Sequence, residues 1–479
     1  MAPRIGTDEW VEQQELRTEY YTGLTAPARR AFDRVGPTPR FFVFLAICAL
    51  FPFLTDSPFL IRVGVNVLLF ALLALGLNIV VGWAGLLDLG YVAFYGFGAY
   101  MYAWVSSGQF DIHLPTELAI LLVVTASALL GLLLGLPSWR LVGDYLAITT
   151  LFFAQIFVEL ALNLDRLQLP WMEEPLNLTG GPNGIPGIDR MQILGIELPG
   201  VRDYFFLLLI VFALVVIGLY YVNESRTGRG WRASREDPLA AELMTTPVNR
   251  LKLLAFAMGA AIAGLSGSIF AAVQTGVFPQ NFEVVLLIMI YAALILGGAG
   301  SISGAIVGAI IVASVPEILR TPENARFLFY AAAIAVLVAA VRPWQRLAVV
   351  VAAVVAFGAV LYQIVALTWP VGVEGVLAGG RFSGLLESWM VIPGEHQELL
   401  GNIAFVLLVA GVLALTQLRG DARLMLLVPT LYLASFVWEN RLIAQPSVTR
   451  QLLFGAILVA MMTRRPHGLL GTPRVENPV

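Results

Sequence analysis

From about residue 40 the chain alternates long apolar runs with short polar breaks. Apolar stretches fall at 40–55, 61–81, 86–105, 117–137, 144–164, 203–222, 251–274, 284–297, 304–316, 326–341, 347–367, 401–418, 424–438 and 450–463. Many approach the ~20 residues with which a helix crosses hydrocarbon. Others fall short, so tilted, broken or re-entrant segments are expected among them. A bilayer offers backbone groups no water, which leaves helices as the spanning element for such runs. The pattern predicts an all-α, polytopic transmembrane bundle of about 14 apolar segments.

The polar stretches between these runs carry the orientation. Residues 1–40 hold no apolar core of signal-peptide length and read as a cytoplasmic leader. The longest polar interior run is Ser225–Met244, where Arg226, Arg229, Arg232 and Arg235 mark a cytoplasmic loop. Asp237 stands at an N-cap position and Pro238 at the first helical position. Leu239, Leu243 and Met244 then share one face of a short helix, with Glu242 opposite. Such a helix suits docking into a groove on another protein; the alternative is a solvated loop whose arginines only set topology. An N-terminus inside and this segment count return the C-terminus inside. Basic residues then gather on the inner side and acidic ones outside, as the positive-inside rule requires.

Glycine is concentrated in two places. Leu75–Gly90 and its continuation Tyr91–Tyr100 carry glycines between two apolar runs, which predicts a broken or re-entrant helix, or else a tight helix crossing. Gly297–Gly304 forms a second knot. Gly82-Trp-Ala-Gly85 aligns with Gly297-Gly-Ala-Gly300, a hint of two related halves.

Composition narrows the chemistry. At 58% hydrophobic and 13% charged, with a mean hydropathy of +0.82, the chain belongs to the membrane class. Its single cysteine, Cys48, lies in an apolar run, and three dispersed histidines form no metal-binding pattern. No phosphate-binding GxxxxGK[ST] loop occurs, and Lys252 is the only lysine. No nucleophile–His–acid set converges either, so no catalytic residue, metal site or bound cofactor is expected. Within the spans, Gln155, Glu159 and Asn163 recur at helical spacing as a polar stripe. They line a solute path or make helix–helix hydrogen bonds. Asn66, Asn78, Gln274 and Glu283 are single polar residues, which most often satisfy a neighbouring helix or cap an end. Gly180-Gly181-Pro182-Asn183-Gly184 is turn chemistry, expected to be exposed on the outer surface.

Taken in order, several motifs resemble one family: the membrane permease subunits of branched-chain amino acid ABC importers, of the LivM/LivH type. They are Leu77–Gly90 with Ala93–Tyr100, Gly143–Ile148, Leu178–Ile185, Gly230–Met244, Arg250–Ala257, Leu296–Ile302 and the ending Arg465–Gly471. The resemblance implies about 10 family-type spans within a core of 41–345, with a cytoplasmic coupling loop at 223–250. It implies that Arg232, Arg235, Glu236, Asp237, Pro238, Leu239, Ala240, Ala241, Leu243 and Met244 dock onto a separate ATPase. Thr179, Gly180, Gly181, Pro182 and Asn183 would meet an extracytoplasmic binding protein. Asn78, Asp88, Tyr91, Gln155, Glu159 and Asn163 are the candidates for the substrate path. The implied partners are a second permease (a LivH-like heterodimer partner), two ATP-binding cassette ATPases that use ATP and Mg, that binding protein and membrane lipid, with no nucleic acid. The implied location is a bacterial inner membrane, with both termini cytoplasmic.

The sequence also departs from the family. Asp88 and Tyr91 stand where the signature commonly has Ser and His; the reading favours Asp88 as a solvated cap at the inner interface. Residues 346–447 read as inserted extra spans with an acidic outer loop at 368–400 (Glu374, Glu387, Glu395, Glu398), followed by a terminal helix and tail at 448–479. Two alternatives stand beside the branched-chain amino acid reading: a urea or short-chain amide ABC permease, and a self-sufficient secondary transporter.

Overall fold

The computed structural model describes residues 37–55, 57–139, 143–168, 175–193, 195–320, 322–340, 344–377, 383–394, 396–418, 421–444, 455, 459 and 468–470. The leader before residue 37, Glu395 and most of the terminal helix expected at 450–463 lie outside them.

Two helices form the axis. α2 (Pro58–Leu77), continued by a π-helical turn over Asn78–Trp83, is 72% buried across its apolar window; α9 (Val248–Gln274) is 61% buried. Around them pack α1 (Pro37–Leu54), α3 (Tyr91–Val105), α4 (Thr116–Gly135), α5 (Asp144–Asn163) and α6 (Val201–Glu224). Helices α10 (Val284–Gly297) and α11 (Ile302–Ile318) complete this core. Small residues let the backbones meet, since lipid supplies no hydrophobic drive between helices. A Cβ on Gly98 of α3 would lie 2.4 Å from Gly264 Cα of α9.

The segment expected at 86–105 is helical only from Tyr91. The π turn closes through Ala84 N–H to Ile79 O and Leu86 N–H to Val80 O. Gly85 then takes a left-handed φ of 71°, which ends the helix and redirects the chain.

One end of the bundle holds two short helices, the polar α7 (Arg226–Glu236) and α8 (Pro238–Leu243). The other end carries two small antiparallel sheets. In one, β1 (Ile185–Pro186) pairs with β4 (Gly276–Val277) at the far end of α9; in the other, β2 (Gln192–Ile193) pairs with β3 (Ile196–Glu197).

The later chain forms α12 (Pro322–Ala340), α13 (Trp344–Thr368), α14 (Ser383–Glu387), α15 (Gln397–Gln417) and α16 (Asp421–Ala444). It joins the core through α12. Arg326 Nε donates to both carboxylate oxygens of Glu439 on α16, at 2.9 and 3.1 Å, with both side chains buried. Phe329 stacks on Trp438 beside them at 4.6 Å. The loop after α13 folds onto this group: Trp389 Nε1 donates to Val355 O, and Val391 N–H to Tyr432 Oη.

The protein is therefore a multi-pass helical membrane bundle. Among the described residues, eight helices are long and apolar enough to cross a membrane, or nine if α11 and α12 act as one broken span. Apolar runs thus outnumber such helices. The described part of α1 is short, and α3 has only 15 residues.

Candidate functional site

The core's two glycine knots touch each other, and α7 is fastened to their junction. Gly300 N–H donates to Asn78 Oδ1 at 2.7 Å, and Trp83 Nε1–H donates to Gly300 O at 3.0 Å. A Cβ on Gly82 would lie 2.6 Å from Gly300 N, so a side chain there would wedge the knots apart. The two stretches that align in sequence are thus direct neighbours in space.

Helix α7 is polar in sequence but buries Gly228, Trp231 and Ser234, spaced three apart on one face. Its start is set at the corner with α6, where Ser225 Oγ accepts from Gly228 N–H. Trp231 is fully buried, its Nε1–H donates to Leu251 O at 2.7 Å, and its ring stacks on Trp83 at 6.0 Å. One turn on, the Arg235 guanidinium donates to Gly82 O. Cβ atoms on Gly85 and Gly300 would lie 2.7 Å from Arg235 Cγ and 3.1 Å from its Nη1. The arginine stem therefore lies along one knot and its head reaches the other. Arg232 instead ties α7 to α6 through Asn223.

α8 follows at once. The Asp237 carboxylate accepts from Leu239 N–H at 2.9 Å and Ala240 N–H at 3.1 Å, and Pro238 occupies the first position, where its missing N–H has no role. Ala241 is buried against the bundle, while Glu236, Pro238 and Ala240 are exposed. Leu239, Leu243 and Met244 stand out at 74, 85 and 79% exposure. An apolar face thus stands exposed at this end of the molecule, on a helix joined to the core through α7.

The other candidates are not gathered in one place. Asn78 is buried between the knots. Tyr91 is buried with its hydroxyl against Gly76 of α2, where a Cβ would lie 2.1 Å from it. Asp88, expected as a solvated cap, is neither: Gly90 is the N-cap of α3, and Asp88 Oδ1 accepts from Gly90 N–H at 2.9 Å in a turn ahead of the helix, with the side chain fully buried. The cause is α10 and α5, which close over it: Tyr291 Oη bonds the Asp88 backbone and Thr150 Oγ1 accepts from Leu89 N–H. Gln155, Glu159 and Asn163 lie on the exposed face of α5, with Asn163 Nδ2 donating to Glu159 O.

At the opposite end, the turn at Thr179–Gly184 is less exposed than its composition suggests. Thr179 and Gly181 are buried, and Pro182 and Asn183 alone project from the stretch Gly181–Gly184. β1–β4 pairing holds the turn down, as does Trp104 Nε1 donating to Leu178 O. Nearby, His113 Nδ1 meets Asp189 Oδ2 at 2.5 Å and Nε2 meets Asp111 Oδ1 at 3.2 Å. The Asp189 hydrogen bond and charge raise the imidazole pKa above its ordinary value.

Sequence reasoning singled out Arg235 but passed over Trp83 and Trp231. Their signal was there: an indole inside a run of arginines, and another inside a glycine-rich break, are each out of place unless buried.

The chain matches the family described as "Branched-chain amino acid transport system / permease component" over residues 59–341. It is 35% identical over 299 residues to the high-affinity branched-chain amino acid transport system permease protein LivM of Salmonella typhimurium, covering 58% of this chain and 67% of that protein. The Escherichia coli LivM gives the same figures. Similarity to BraD of Pseudomonas aeruginosa, a permease protein of the same kind of system, is 26% over 260 residues, covering 51% and 79%. No solved structure matches the chain.

Proposed function

The chain belongs to the family of branched-chain amino acid transport permease components, and on that footing we propose that it is one membrane subunit of an ATP-driven importer. Its cargo would be branched-chain, hydrophobic amino acids, delivered by an extracytoplasmic binding protein. A second permease chain would complete the path, and two ATPase subunits would use ATP and Mg. The observation that carries this reading is α8, whose Leu239, Leu243 and Met244 face outward while α7 is anchored on both knots. The sequence has no phosphate-binding loop of its own, so the nucleotide chemistry falls to a partner.

The mechanism follows from the anchorage. An ATPase groove would hold the apolar face of α8, in the manner of a helix laid into a groove. Closure of the ATPases would displace α8, and a six-residue helix capped by Asp237 transmits that push to α7 with little bending. Trp231 passes it to Trp83 and the start of α9, and Arg235 to Gly82. From the knots the movement reaches α2, α3, α10 and α11 together, because those helices begin or end there. The exposed stripe Gln155, Glu159 and Asn163 would face the path once the second permease is in place; an uncovered carboxylate on a span is costly against lipid. This assignment puts α7, α8 and both termini in the cytoplasm of a bacterial inner membrane.

Replacing Leu239 and Leu243 with Asp tests the reading in cells or in vesicles with the full complex. The expected result is loss of ATP-driven uptake and of ATPase co-purification, with the permease still inserted at its normal level. Undiminished uptake by that variant would defeat the assignment.

A further inference from the structure

The last described residues of the chain return to the second knot. α10 ends at Gly297, and a helix end leaves its final carbonyls without partners in the helix. Here Leu469 N–H donates to Leu296 O and Leu470 N–H to Gly297 O, both at 2.9 Å. Gly468 has a φ of 77°, and a Cβ on it would lie 2.6 Å from both Gly298 Cα and Gly298 N. Only glycine fits that position without moving the knot. The far side of the same knot is where Gly300 bonds Asn78 and Trp83 and lies against Arg235.

We propose that Gly468-Leu469-Leu470 is a positioning strap of the coupling device: it fixes the second knot from behind, so that displacement of Arg235 is passed on to α10 and α11 rather than absorbed by a yielding loop. The knot needs such support. Gly298 and Gly300 both have positive φ, and a run of glycines has more backbone freedom to lose than any other sequence. The strap removes that freedom by occupying the two carbonyls from which the loop springs. Because it follows α13–α16 in the chain, it also ties the end of those later helices to the core's moving part. The proposal rests on the importer reading, in which α8 receives the ATPase.

Gly468→Val in the complete importer, reconstituted in vesicles with its binding protein, is the test. Two readouts are taken: hydrogen exchange over 294–304 and 468–470, and ATP hydrolysed per solute moved. The strap predicts exchange at Leu469 and Leu470 faster by about five-fold or more, as for the loss of a hydrogen bond worth about 1 kcal/mol. It also predicts a several-fold rise in ATP consumed per solute, with ATPase co-purification unchanged. Faster exchange with an unchanged ATP-to-solute ratio would reduce the strap to a tether and overturn the proposal. Should Gly468→Val fail to insert, Leu470→Pro, which removes one donor and adds no Cβ at Gly468, takes the same readouts, with exchange read at Leu469 and over 294–304. The Leu239/Leu243 variant run alongside separates the two ideas: if it keeps full uptake, the importer reading fails, whatever the strap does.

Discussion

The core and the later helices are built on different terms. In the core, α2 and α9 are mostly surrounded by protein, and glycines bring their neighbours to within backbone contact. In the later region, the apolar windows of α13 and α15 are each only 11% buried. There α16 packs on α15 and α13, and the polar and aromatic contacts are the Arg326–Glu439 pair, the Phe329–Trp438 stack and a loop folded over Tyr432. The core is thus specified by shape along its whole depth, and the later region by a few strong contacts. The family match, which stops at residue 341, takes in the core and α12 and leaves out α13–α16.

A change of shape should therefore ruin the deeply buried core contacts and spare an open position in the later region. Gly98→Val places atoms inside α9 and should abolish monodisperse folded protein in mild detergent, since overpacking costs about 1–3 kcal/mol even where the surroundings relax. Gly384→Ala in α14, where a Cβ meets open space, should leave the melting temperature where it was. Equal behaviour of the two would erase the contrast. Charge should act the other way round. Arg326→Ala strands a buried carboxylate and should destabilise the later region by about 3–5 kcal/mol. The effect would be read as faster proteolysis or exchange in α12–α16 with the core unchanged, and Arg326→Met combined with Glu439→Leu should recover most of it. A core that melts along with α16 would mean the two regions fold as one.

The smallest effect sharpens the picture at the sheet end of the core. His113 has its pKa raised by Asp189, then by Asp111, and lies outside the spans. Its contribution is complete below the imidazole's ordinary value of about 6.5 and fades as pH rises through the raised one. Protection over 106–115 and 184–193, with the intrinsic base-catalysed rate of exchange divided out, should accordingly be higher at acidic than at alkaline pH. His113→Asn should flatten that dependence, whereas a dependence that survives the substitution would assign it to another group.

Hydrophobic spacing alone placed most helices, because bilayer thickness dictates the length of an apolar run before any tertiary contact forms. Asp237 and Pro238 announced α8 for a similarly local reason: a cap acts within its own first turn. What stayed hidden depends on distant partners. That Asp88 is buried follows from Tyr291 and Thr150, which lie far along the chain. The stacking of Trp83 on Trp231, and the close fit of Gly82 to Gly300, are likewise facts of assembly that no local window contains. The start of the segment expected at 86–105 falls later, at Tyr91, because glycine composition tells of permissiveness, not of which glycine, here Gly85, turns left-handed.

The brevity of α3 has a consequence for the lipid. At 15 residues it is about 22 Å long, well under the ~30 Å of hydrocarbon, whereas α13 at 25 residues reaches about 37 Å. The short helix is wrapped in protein, so no acyl chain has to stretch or compress to meet it. The long one faces outward and must lean or thicken the membrane beside it. Hydrophobic mismatch is thereby kept from α3 and falls on outward-facing helices such as α13 and, in the core, α6. Bilayer thickness would then act on the tilt of α13, while the knots, shielded behind α2 and α9, keep their geometry.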